Sequence, residues 1–403
     1  MKKARQILAL LLTIAVSISF LSACNTNKGE QSNESHSSYQ SDQNTTLGIM
    51  RDISSMSLVG EMKIGWNLGN TLDVCAADRD GDGKVNETPE NGVVDETLWG
   101  NLPATQELFD KLKADGVNAV RIPVTWRDHL GKAPEYKIDA QWLDRVQEVV
   151  DYAYSIGMYV IINVHHDGGG DPAFGAWIRN ASTDYDGVIE KYNAVWTQIA
   201  DRFQNYSDYL IFESMNEVGF EDVDKSKAFT LLNDMNQEFV DLIRASGGNN
   251  EKRHLLIAGY WTDIAETCNK NFKMPNDPES RCILSLHYYT PWEFCTTSIQ
   301  HTWGTDKELD VLFEKMGLVK TNFIDNGIPV IIGEYGTGGS NDTSSRIFFS
   351  EYVTKLCYDM GVPTFLWDNG WELKRDTLKW RTEGMIEALQ RATSGDEYTV
   401  TKQ

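Results

Sequence analysis

The chain has 403 residues and a net charge of −22 at pH 7, because 59 acidic side chains outnumber 37 lysines and arginines. Such an excess of negative charge repels nucleic acids and anionic lipid surfaces, so we expect a neutral partner and no nucleic acid. Besides Cys24 there are five cysteines, without the paired spacing of a zinc ribbon, and this odd number leaves at least one thiol unpaired unless it pairs between chains.

The first 23 residues have the form of an export signal. Basic residues precede an apolar run at positions 7–21, which is shorter than the roughly 20 residues that a membrane-spanning helix needs. The letters LSAC at positions 21–24 resemble the lipobox of bacterial lipoproteins, which implies cleavage before Cys24 and lipidation of that cysteine. Cleavage near Ala23 without lipid is the alternative. Residues 24–46 are rich in serine and asparagine and predict a disordered tether.

Processing before Cys24 would leave 34 basic and 59 acidic side chains, a net charge of −25. We therefore expect an exported bacterial protein, either anchored by lipid at the cell surface or extracellular. The lipid would be its single contact with the membrane. We also expect a monomer.

Residues 47–393 alternate short β-rich apolar runs with longer amphipathic ones. Parallel strands that are covered on both faces have this near-continuous apolar character. Eight such units predict an α/β fold, a single (β/α)8 TIM barrel with long loops at the carboxyl ends of its strands. A doubly wound open sheet is the alternative, but its dinucleotide-binding form needs a G-x-G-x-x-G turn that the sequence lacks. The predicted strands begin at Met62, Asn118, Tyr159, Tyr209, His254, Cys282, Pro329 and Pro363.

Three of the amphipathic runs predict helices, at residues 103–116, 140–157 and 345–361. Each run ends at a glycine, which is typical of a helix C-terminus. Residues 394–403 form a polar C-terminal tail, which we expect to fray.

The segment DRDGDGKVNETP at residues 78–89, after the first predicted strand, has the spacing of a calcium-binding loop and resembles that of dockerin modules. Pro89 occupies the place of the closing carboxylate, so a solvated acidic hairpin is the alternative. A bound Ca²⁺ would stabilise the loop without taking part in catalysis. The expected ligands are Asp78, Asp80, Asp82, the backbone carbonyl of Lys84, and Asn86.

Polar and ionisable side chains gather at the ends of the predicted strands, where βα barrels build their active sites. We interpret Glu217 as the last side chain of the fourth strand, with Glu334 in the matching position three strands later. Cleavage of a glycosidic bond needs two facing carboxylates, one protonated and one ionised. For either glutamate alone, an ion pair with a neighbouring cation is the alternative. The other residues of this set are Asn67, Arg121, His165, His166, Asn216, His287, Tyr289 and Trp367.

Several tryptophans fall in strand-end or loop segments, and Trp177 and Trp292 are candidates for stacking on sugar rings. Long loops could wall an open groove, which favours cleavage within a chain over trimming of its end. A metallohydrolase is disfavoured because the sequence has no H-x-x-x-H helix and no early H-x-H strand. We therefore expect catalysis without a cofactor.

Seven ordered motifs together resemble glycoside hydrolase family 5, and most closely its bacterial endo-β-1,4-glucanases. The resemblance implies that Glu217 is the general acid/base and Glu334 the nucleophile. Two positions depart from the usual pattern, since Val218 replaces the proline of Asn-Glu-Pro and GEYG replaces GEFG. The motifs are GWNLGNTLD (65–73), RIPV (121–124), NVHHD (163–167), MNE (215–217), HYYTP (287–291), GEYG (333–336) and WDNG (367–370).

The same resemblance implies supporting roles for the other residues. Arg121 would hold Glu334 ionised, Tyr289 would contact Glu334, and Asn216 would bond the sugar 2-hydroxyl. Three histidines would shape the subsite where cleavage occurs, with Trp367 beneath the sugar ring. These histidines are His165, His166 and His287.

The sequence thus predicts a retaining endo-β-1,4-glucanase, a cellulase that acts on cellulose-like β-glucans without a metal. Xyloglucan, mixed-linkage β-glucan and mannan are alternative substrates for the same chemistry. A non-catalytic glycan-binding surface lipoprotein, or a lipoprotein whose calcium loop mediates adhesion, is the alternative of another class.

Overall fold

The computed structural model describes residues 48–78, 93–169 and 172–402. Eight parallel strands pair in chain order, and the last pairs with the first, so the sheet closes into the predicted barrel. The strands are β1 (Ile64–Leu68), β2 (Val117–Ile122), β3 (Tyr159–Asn163), β4 (Leu210–Glu213), β5 (Leu255–Asp263), β6 (Cys282–Tyr288), β7 (Val330–Tyr335) and β8 (Thr364–Asp368). Each predicted β-rich run overlaps one of these strands, although β2 begins one residue earlier and β5 ends three residues later than its run.

Helices surround the barrel, and each of the three predicted runs forms one, at Gln106–Ala114, Ala140–Tyr154 and Thr343–Asp359. Each is followed by a glycine with left-handed backbone, Gly116 (φ 88°), Gly157 (φ 73°) and Gly361 (φ 74°). Among the described residues, no helix has the length and apolar character needed to cross a membrane. The helices are α1 (Ser55–Glu61), α2 (Gln106–Ala114), α3 (Ala140–Tyr154), α4 (Tyr185–Phe203), α5 (Lys225–Ala245), α6 (Ile264–Thr267), α7 (Trp292–Cys295), α8 (Asp306–Asn322), α9 (Thr343–Asp359) and α10 (Met385–Ala392).

Local capping sets where several long helices begin. The side chains of Asp139, Asp184, Asp224 and Asp342 accept hydrogen bonds from first-turn backbone N–H groups of α3, α4, α5 and α9. Such a cap contributes about 1 kcal/mol to helix stability. These helix starts are therefore encoded in short stretches of sequence.

The end of the barrel interior at which the strands begin is apolar. Alternate strand residues point inward there, because side chains of a strand alternate in direction. Helix α1 closes this end, and its Leu58 and Val59 are buried. The other members of this inner cluster are Met62, Ala119, Tyr159, Ile161, Ile211, Leu256, Ile283, Ile331 and Phe365.

A larger cluster fills the space between the strands and the surrounding helices. In α4, for example, the ring of Trp196 lies 5.6 Å and that of Phe203 6.5 Å from the ring of Phe212 in β4. Burying one such aromatic side chain contributes about 1.5–3 kcal/mol. The two clusters together explain why the strand sequences are apolar on both faces.

The C-terminal residues that were predicted to fray are held against α9. The Tyr398 hydroxyl donates to Glu351 Oε1 over 2.9 Å, and Lys402 Nζ donates to the Ser345 hydroxyl over 2.5 Å. Val400, which lies between Tyr398 and Lys402 in the sequence, is also buried. The prediction of fraying was wrong. The hydrogen-bond partners of this segment lie on α9, which is far from it in the sequence, so the local sequence contained no sign of them.

Other predictions fall outside the described residues. They concern the export signal at 1–23, the tether at 24–46 with Cys24, and four of the five calcium ligands. Those four are Asp80, Asp82, Lys84 and Asn86. The five cysteines of the described residues are free thiols.

Candidate active site

The opposite end of the barrel interior, where the strands end, is polar. The residue two positions beyond each inward apolar side chain also points inward, because the alternation continues along the strand. Five strands therefore each contribute one polar or aromatic side chain to the same layer. The pairs are Ala119 and Arg121, Ile161 and Asn163, Ile211 and Glu213, Ile283 and Ser285, and Phe365 and Trp367.

Glu334 reaches this layer through a β-bulge in β7. The pairing of β6 with β7 shifts so that His287 lies opposite Glu334, which leaves Gly333 as an extra residue in β7. A Cβ at position 333 would lie 3.0 Å from the Ser285 hydroxyl, so glycine suits the close approach. The bulge turns Glu334 inward three residues after the inward-pointing Ile331.

Glu217 comes from a loop. Strand β4 ends at Glu213, so the interpretation of Glu217 as the last side chain of the strand was wrong. Its backbone is left-handed, with φ 46°, a conformation that costs free energy for a residue other than glycine. A neighbouring loop holds it there, since a Cβ on Gly169 would lie only 1.8 Å from the Glu217 carbonyl oxygen.

Arg121 joins the polar layer to Glu334. Its guanidinium donates to Glu334 Oε1 and to Glu213 Oε2, each over 2.6 Å, and to Asn216 Oδ1 over 2.8 Å. It also donates to Asn67 Oδ1 over 3.1 Å. The side chain is fully buried, so this one cation serves two carboxylates in a medium of low polarity.

The two predicted catalytic glutamates meet across one cavity. His287 Nδ1 lies 2.9 Å from Glu217 Oε1 and 3.7 Å from Glu334 Oε2. One oxygen of each glutamate and one nitrogen of His287 all lie within 4.8 Å of one another. The Tyr289 hydroxyl donates to Glu334 Oε2 over 3.0 Å. This spacing matches the roughly 5 Å between carboxyl groups that accompanies retention of configuration.

The tautomer of His287 follows from its surroundings. Its Nε2 has no hydrogen-bond partner within the described part of the chain. A hydrogen on Nε2 would leave a buried N–H unpaired, whereas a hydrogen on Nδ1 is donated to Glu217. We therefore assign the Nδ1–H tautomer, in which His287 stabilises ionised Glu217.

The pKa values of the two glutamates move in opposite directions in the free site. Burial raises the pKa of Glu334 above its usual range, although the charge of Arg121 opposes the change. Burial also acts to raise the pKa of Glu217, but the hydrogen bond from His287 and the other favourable electrostatic contacts together outweigh burial, so the pKa of Glu217 is lowered. This order is the reverse of that expected from the sequence. Burial is the main cause for Glu334, and the negative charge of Glu217 adds to it.

These groups line a cleft of about 940 Å³ at the carboxyl ends of the strands. Eight predicted residues form part of its wall. Asn67 and Arg121 lie beneath it as supports, and His287 lines a smaller adjoining pocket of about 160 Å³ that also contacts Glu217. The eight are His165, His166, Asn216, Glu217, Tyr289, Trp292, Glu334 and Trp367.

Of the two loop tryptophans that were predicted to stack on sugar rings, one lines the cleft and the other does not. Trp292 is 58% exposed and lines the cleft. Trp177 does not line the cleft, and its prediction as a sugar-stacking residue was wrong. Its Nε1–H donates to Asp167 Oδ1 over 2.5 Å, and Lys191 Nζ lies 4.3 Å from its ring centroid. Trp177 instead packs the loop after β3 against α4.

Both neighbouring histidines reach the cleft, although side chains of adjacent strand residues point to opposite faces. They lie beyond the end of β3, where strand alternation no longer applies. Asn163 Nδ2 lies 3.1 Å from His165 Nδ1 while Asn163 Oδ1 accepts the Val124 N–H, so Nδ1 accepts and Nε2 carries the hydrogen. His165 thereby offers an N–H donor, and its ring is parallel to that of Trp367 at 5.9 Å.

A cluster of Asp73, His165 and His166 has ligand atoms close enough to hold a metal ion. The tautomer of His165 disfavours this, because Nδ1 is engaged by Asn163 and Nε2 is protonated. Asp73 instead accepts the backbone N–H groups of Asn70 and Thr71. Burial raises the pKa of Asp73 to about 7.

Sequence reasoning missed several residues that support the site. Glu213 is fully buried, is paired with Arg121, and also accepts the Ser285 hydroxyl over 2.7 Å and an Asn163 N–H over 2.9 Å. Strand alternation could have found all three, because each lies two residues beyond an inward apolar position. Asp73 had no such signal, since it belongs to a loop.

A (β/α)8 barrel with two carboxylates facing each other across its mouth is the arrangement of a glycoside hydrolase. The family model described as cellulase (glycosyl hydrolase family 5) matches residues 82–372. The chain belongs to glycoside hydrolase family 5, which confirms the resemblance seen in its motifs.

Known proteins similar to this chain agree with that assignment. Endoglucanase A of Ruminococcus albus is 38% identical over 363 residues, with 85% of this chain and 93% of that protein covered. Cellulase/esterase CelE of Acetivibrio thermocellus is 39% identical over 366 residues, covering 85% of this chain. The chain spans only 41% of the length of CelE.

One similar solved structure is a GH5-4 broad specificity endoglucanase from Ruminococcus champanellensis with bound cellotriose. It has a TM-score of 0.76 and 34% identity, covering 84% of this chain and 99% of that one.

Proposed function

We propose that this chain hydrolyses internal β-1,4-glucosidic bonds of cellulose-like β-glucans and retains the configuration at the anomeric carbon. The observation that carries the proposal is the meeting of Glu217 and Glu334 across one cleft, with an oxygen of each within 4.8 Å of the other. Glu334 acts as the nucleophile and Glu217 as the general acid/base.

In the first step, a carboxylate oxygen of Glu334 bonds to the anomeric carbon as the bond to the leaving oxygen breaks. Glu217 gives its proton to that oxygen, so the leaving sugar departs as an alcohol. Arg121 and Tyr289 hold Glu334 in place through its two oxygens. This orientation keeps the attacking oxygen fixed before the substrate arrives.

In the second step, water attacks the anomeric carbon and Glu217 takes one of its protons. The bond between the carbon and Glu334 breaks, which restores the carboxylate and frees the sugar with its original configuration. The hydrogen bond from His287 suits this step, because it stabilises Glu217 as the ionised base.

The shape of the site and the similar proteins support a β-glucan substrate. The cleft is lined by Trp292 and Trp367, whose rings can stack on the apolar faces of sugars. The relatives from R. albus and A. thermocellus are named endoglucanase and cellulase/esterase, and the similar structure holds cellotriose. Because that enzyme is described as having broad specificity, we extend the proposal to mixed-linkage β-glucan and xyloglucan, with mannan as a further alternative.

A reducing-sugar assay on a panel of soluble β-glucans tests this function. We expect wild type to be active, and Glu334→Gln and Glu217→Gln to lose at least about 1000-fold in kcat, because each removes one half of the carboxylate pair. Proton NMR of the first product should show the β-anomer. A wild type without activity on every polysaccharide would support the glycan-binding alternative, and an α-anomer would refute retention.

We also propose that the enzyme is exported and lipidated at Cys24, with residues 24–46 as a tether. The support is the lipobox-like sequence after an apolar run. In a bacterial host, Cys24→Ala should abolish labelling by a radioactive fatty acid and reduce membrane-associated activity. Unlabelled wild type would favour cleavage near Ala23 without lipid.

Finally, we propose that the segment 78–89 binds a structural Ca²⁺, on the basis of its aspartate spacing. Removal of calcium with a chelator should lower the Tm of the wild type but not of Asp80→Ala. Activity below the unfolding temperature should not change, because the ion takes no part in the chemistry. Equal Tm values with and without chelator would favour the solvated hairpin.

A further inference from the structure

Glu217 lies on a loop, residues 214–220, that follows β4 and belongs to no helix or strand. A residue other than glycine keeps a left-handed backbone only when its surroundings impose it. The contact with Gly169 comes from the side of β3, and the Tyr192 hydroxyl anchors the start of the loop by donating to the Ser214 carbonyl over 2.7 Å. Because β4 lies between β3 and β5 in the barrel, the contacts on the other side of the loop come from β5.

The end of the loop is held by the hydroxyl of Tyr260, a residue of β5. The Phe220 N–H donates to this hydroxyl over 3.2 Å, and the hydroxyl donates to the Phe220 carbonyl over 3.2 Å. A hydroxyl can donate and accept at once, so one group pairs with both backbone groups of Phe220. Since Phe220 is buried, removal of the hydroxyl would deprive both backbone groups of this partner away from water.

Tyr260 is itself held firmly, and it lies out of reach of the substrate. It is 2% exposed and lines neither the cleft nor the smaller adjoining pocket. Its ring centroid lies 4.6 Å from that of Phe229 in α5, and Lys225 Nζ lies 5.0 Å from the Tyr260 ring centroid. The hydroxyl therefore has a fixed position, and any effect of Tyr260 on the reaction must pass through the loop.

The backbone of β5 is irregular directly after Tyr260. Trp261 and Thr262 are both left-handed, with φ 54° and φ 50°. The pairing of β5 with β6 also shifts between Ala258 and Asp263. Strained residues of this kind cost free energy and cluster at functional sites, so the irregularity calls for a reason.

The irregular end of β5 lies against the residues that follow Glu217. The Trp261 N–H donates to the Val218 carbonyl over 2.9 Å. A Cβ on Gly219 would lie 2.3 Å from Trp261 Nε1, so the indole packs directly on the backbone of the loop. Together with the Tyr260 hydroxyl, these contacts hold the three residues after Glu217.

We propose that Tyr260 is a positioning residue for the general acid/base. Its hydroxyl fixes Phe220 and thereby the direction in which Glu217 presents its carboxyl group. The inference rests on the proposed function, since it concerns how Glu217 performs its part in it. Glu334 is held by groups outside this loop, so loss of the Tyr260 hydroxyl affects proton transfer and leaves nucleophilic attack in place.

Two aryl β-cellobiosides that differ in their leaving group test the proposal. The phenyl substrate needs a proton from Glu217 as its phenol departs, whereas dinitrophenolate is a weak base and leaves without one. The parameter kcat/KM reports the steps up to formation of the glycosyl-enzyme. In Tyr260→Phe, we expect kcat/KM to fall on the order of tenfold for the phenyl substrate and to stay near the wild-type value for the dinitrophenyl substrate.

Azide tests the second step in the same variant. Water needs Glu217 as a base when it attacks the glycosyl-enzyme, but azide is already an anion and needs none. Azide bonds to the anomeric carbon as the bond to Glu334 breaks, which releases the carboxylate and a β-cellobiosyl azide. With the dinitrophenyl substrate, whose first step is fast, azide should raise kcat of Tyr260→Phe towards the wild-type value and leave the wild type unchanged.

Tyr335→Phe is the matched control. The Tyr335 hydroxyl is also buried and lies 2.8 Å from the Thr354 hydroxyl, but Tyr335 belongs to β7 and follows the nucleophile in sequence. We expect this variant to lower Tm without changing the ratio of kcat/KM between the two substrates. An equal loss on both substrates in Tyr260→Phe, or no loss on either, would refute the inference.

Glu217→Gln separates a failure of this inference from a failure of the proposed function. It should lose far more activity on the phenyl substrate than on the dinitrophenyl substrate, because it removes the transferred proton itself. If Glu217→Gln shows this dependence and Tyr260→Phe does not, the role of Glu217 stands and the inference about Tyr260 falls. If neither variant shows it, the proposed role of Glu217 fails as well.

Discussion

At the scale of single residues, the ionisation of the two catalytic glutamates depends on the few groups that can stabilise their negative charge. Arg121 neutralises Glu213 as well as Glu334, and His287 donates to Glu217. The two carboxyl groups therefore titrate as a coupled pair. Activity should still be bell-shaped with pH, with limbs that belong to the pair.

The acidic limb of kcat/KM should follow the lower of the two pKa values, which is that of Glu217. His287→Leu removes the hydrogen bond that lowers this pKa, so the pKa rises and activity is lost at a higher pH on acidification. We expect the acidic limb to move to higher pH and kcat to fall about tenfold as Glu217 loses its orientation. The measurement is the pH profile of kcat/KM.

His301→Leu provides the control, because His301 is exposed and does not line the cleft. Its pH profile should match that of the wild type. An acidic limb that stays in place in His287→Leu would contradict the assignment of that limb to Glu217.

At the scale of elements, irregular backbone places both carboxylates. A bulge at Gly333 turns Glu334 inward, and a left-handed residue after β4 presents Glu217. Both irregularities depend on close contacts with neighbouring segments, so small changes in those segments should affect catalysis more than stability.

Gly169→Ala tests this dependence. The new Cβ would lie 1.8 Å from the Glu217 carbonyl, so the loop that carries Glu217 must move. A shift of about 1 Å can reduce catalysis 100-fold. We therefore expect kcat to fall about 100-fold while circular dichroism shows a folded barrel.

Gly317→Ala in α8 is the matched change, because nothing lies within 4 Å of the new Cβ. It should leave kcat unchanged and raise stability by up to about 1 kcal/mol, as alanine favours a helix over glycine. Equal kcat values in the two variants would show that the position of Glu217 does not depend on Gly169.

Arg253 joins several elements at the end of the barrel opposite the cleft. Its buried guanidinium donates to the carbonyls of Phe203, Tyr206, Ser207 and Leu210, and burial lowers its pKa to about 9. Arg253→Ala would leave these carbonyls without donors. We expect the free energy of unfolding in urea to fall by about 3–5 kcal/mol.

The exposed Lys320, which pairs with Asp325, offers a comparison. Lys320→Ala should change the free energy of unfolding by less than about 1 kcal/mol, as expected for a surface ion pair. A similarly small effect of Arg253→Ala would show that water replaces its hydrogen bonds.

At the scale of the whole molecule, the barrel interior divides into an apolar end and a polar end. The apolar end, closed by α1, holds the strands together, so the polar end can contain Arg121, Glu213 and Glu334 without being needed for folding. Buried histidines outside the cleft contribute to how stability varies with pH.

His254 and His129 are such histidines. Burial lowers the pKa of His254 to about 3 and that of His129 to about 4, from 6.5. The unfolded chain therefore binds protons that the folded protein does not, and stability is full above pH 6.5 and falls as pH decreases towards these values. Each histidine should cost about 1.4 kcal/mol per pH unit in that window.

Urea unfolding at pH 7 and pH 5 measures this effect. His254→Gln should reduce the difference in free energy between the two pH values, since one of the two groups is removed. A difference between the two pH values that is the same in His254→Gln as in the wild type would contradict the role of this buried histidine.

The sequence alone determined the eight strands, the helix ends at glycines, and the convergence of Glu217 and Glu334 at one end of the barrel. Such features depend on local patterns, because strand alternation and helix capping involve residues close together in the chain. The buried support from Glu213 and Asn163 was also within reach of that alternation, two residues beyond inward apolar positions.

Only the tertiary structure decided how the carboxylates are presented and charged. The loop position of Glu217, the sharing of Arg121, the burial of Trp177 and the docking of the C-terminal tail all depend on segments far apart in the chain. Burial and pKa are properties of the packed surroundings. A strand records its own periodicity in its sequence, but not which distant loop, cation or helix will lie against it.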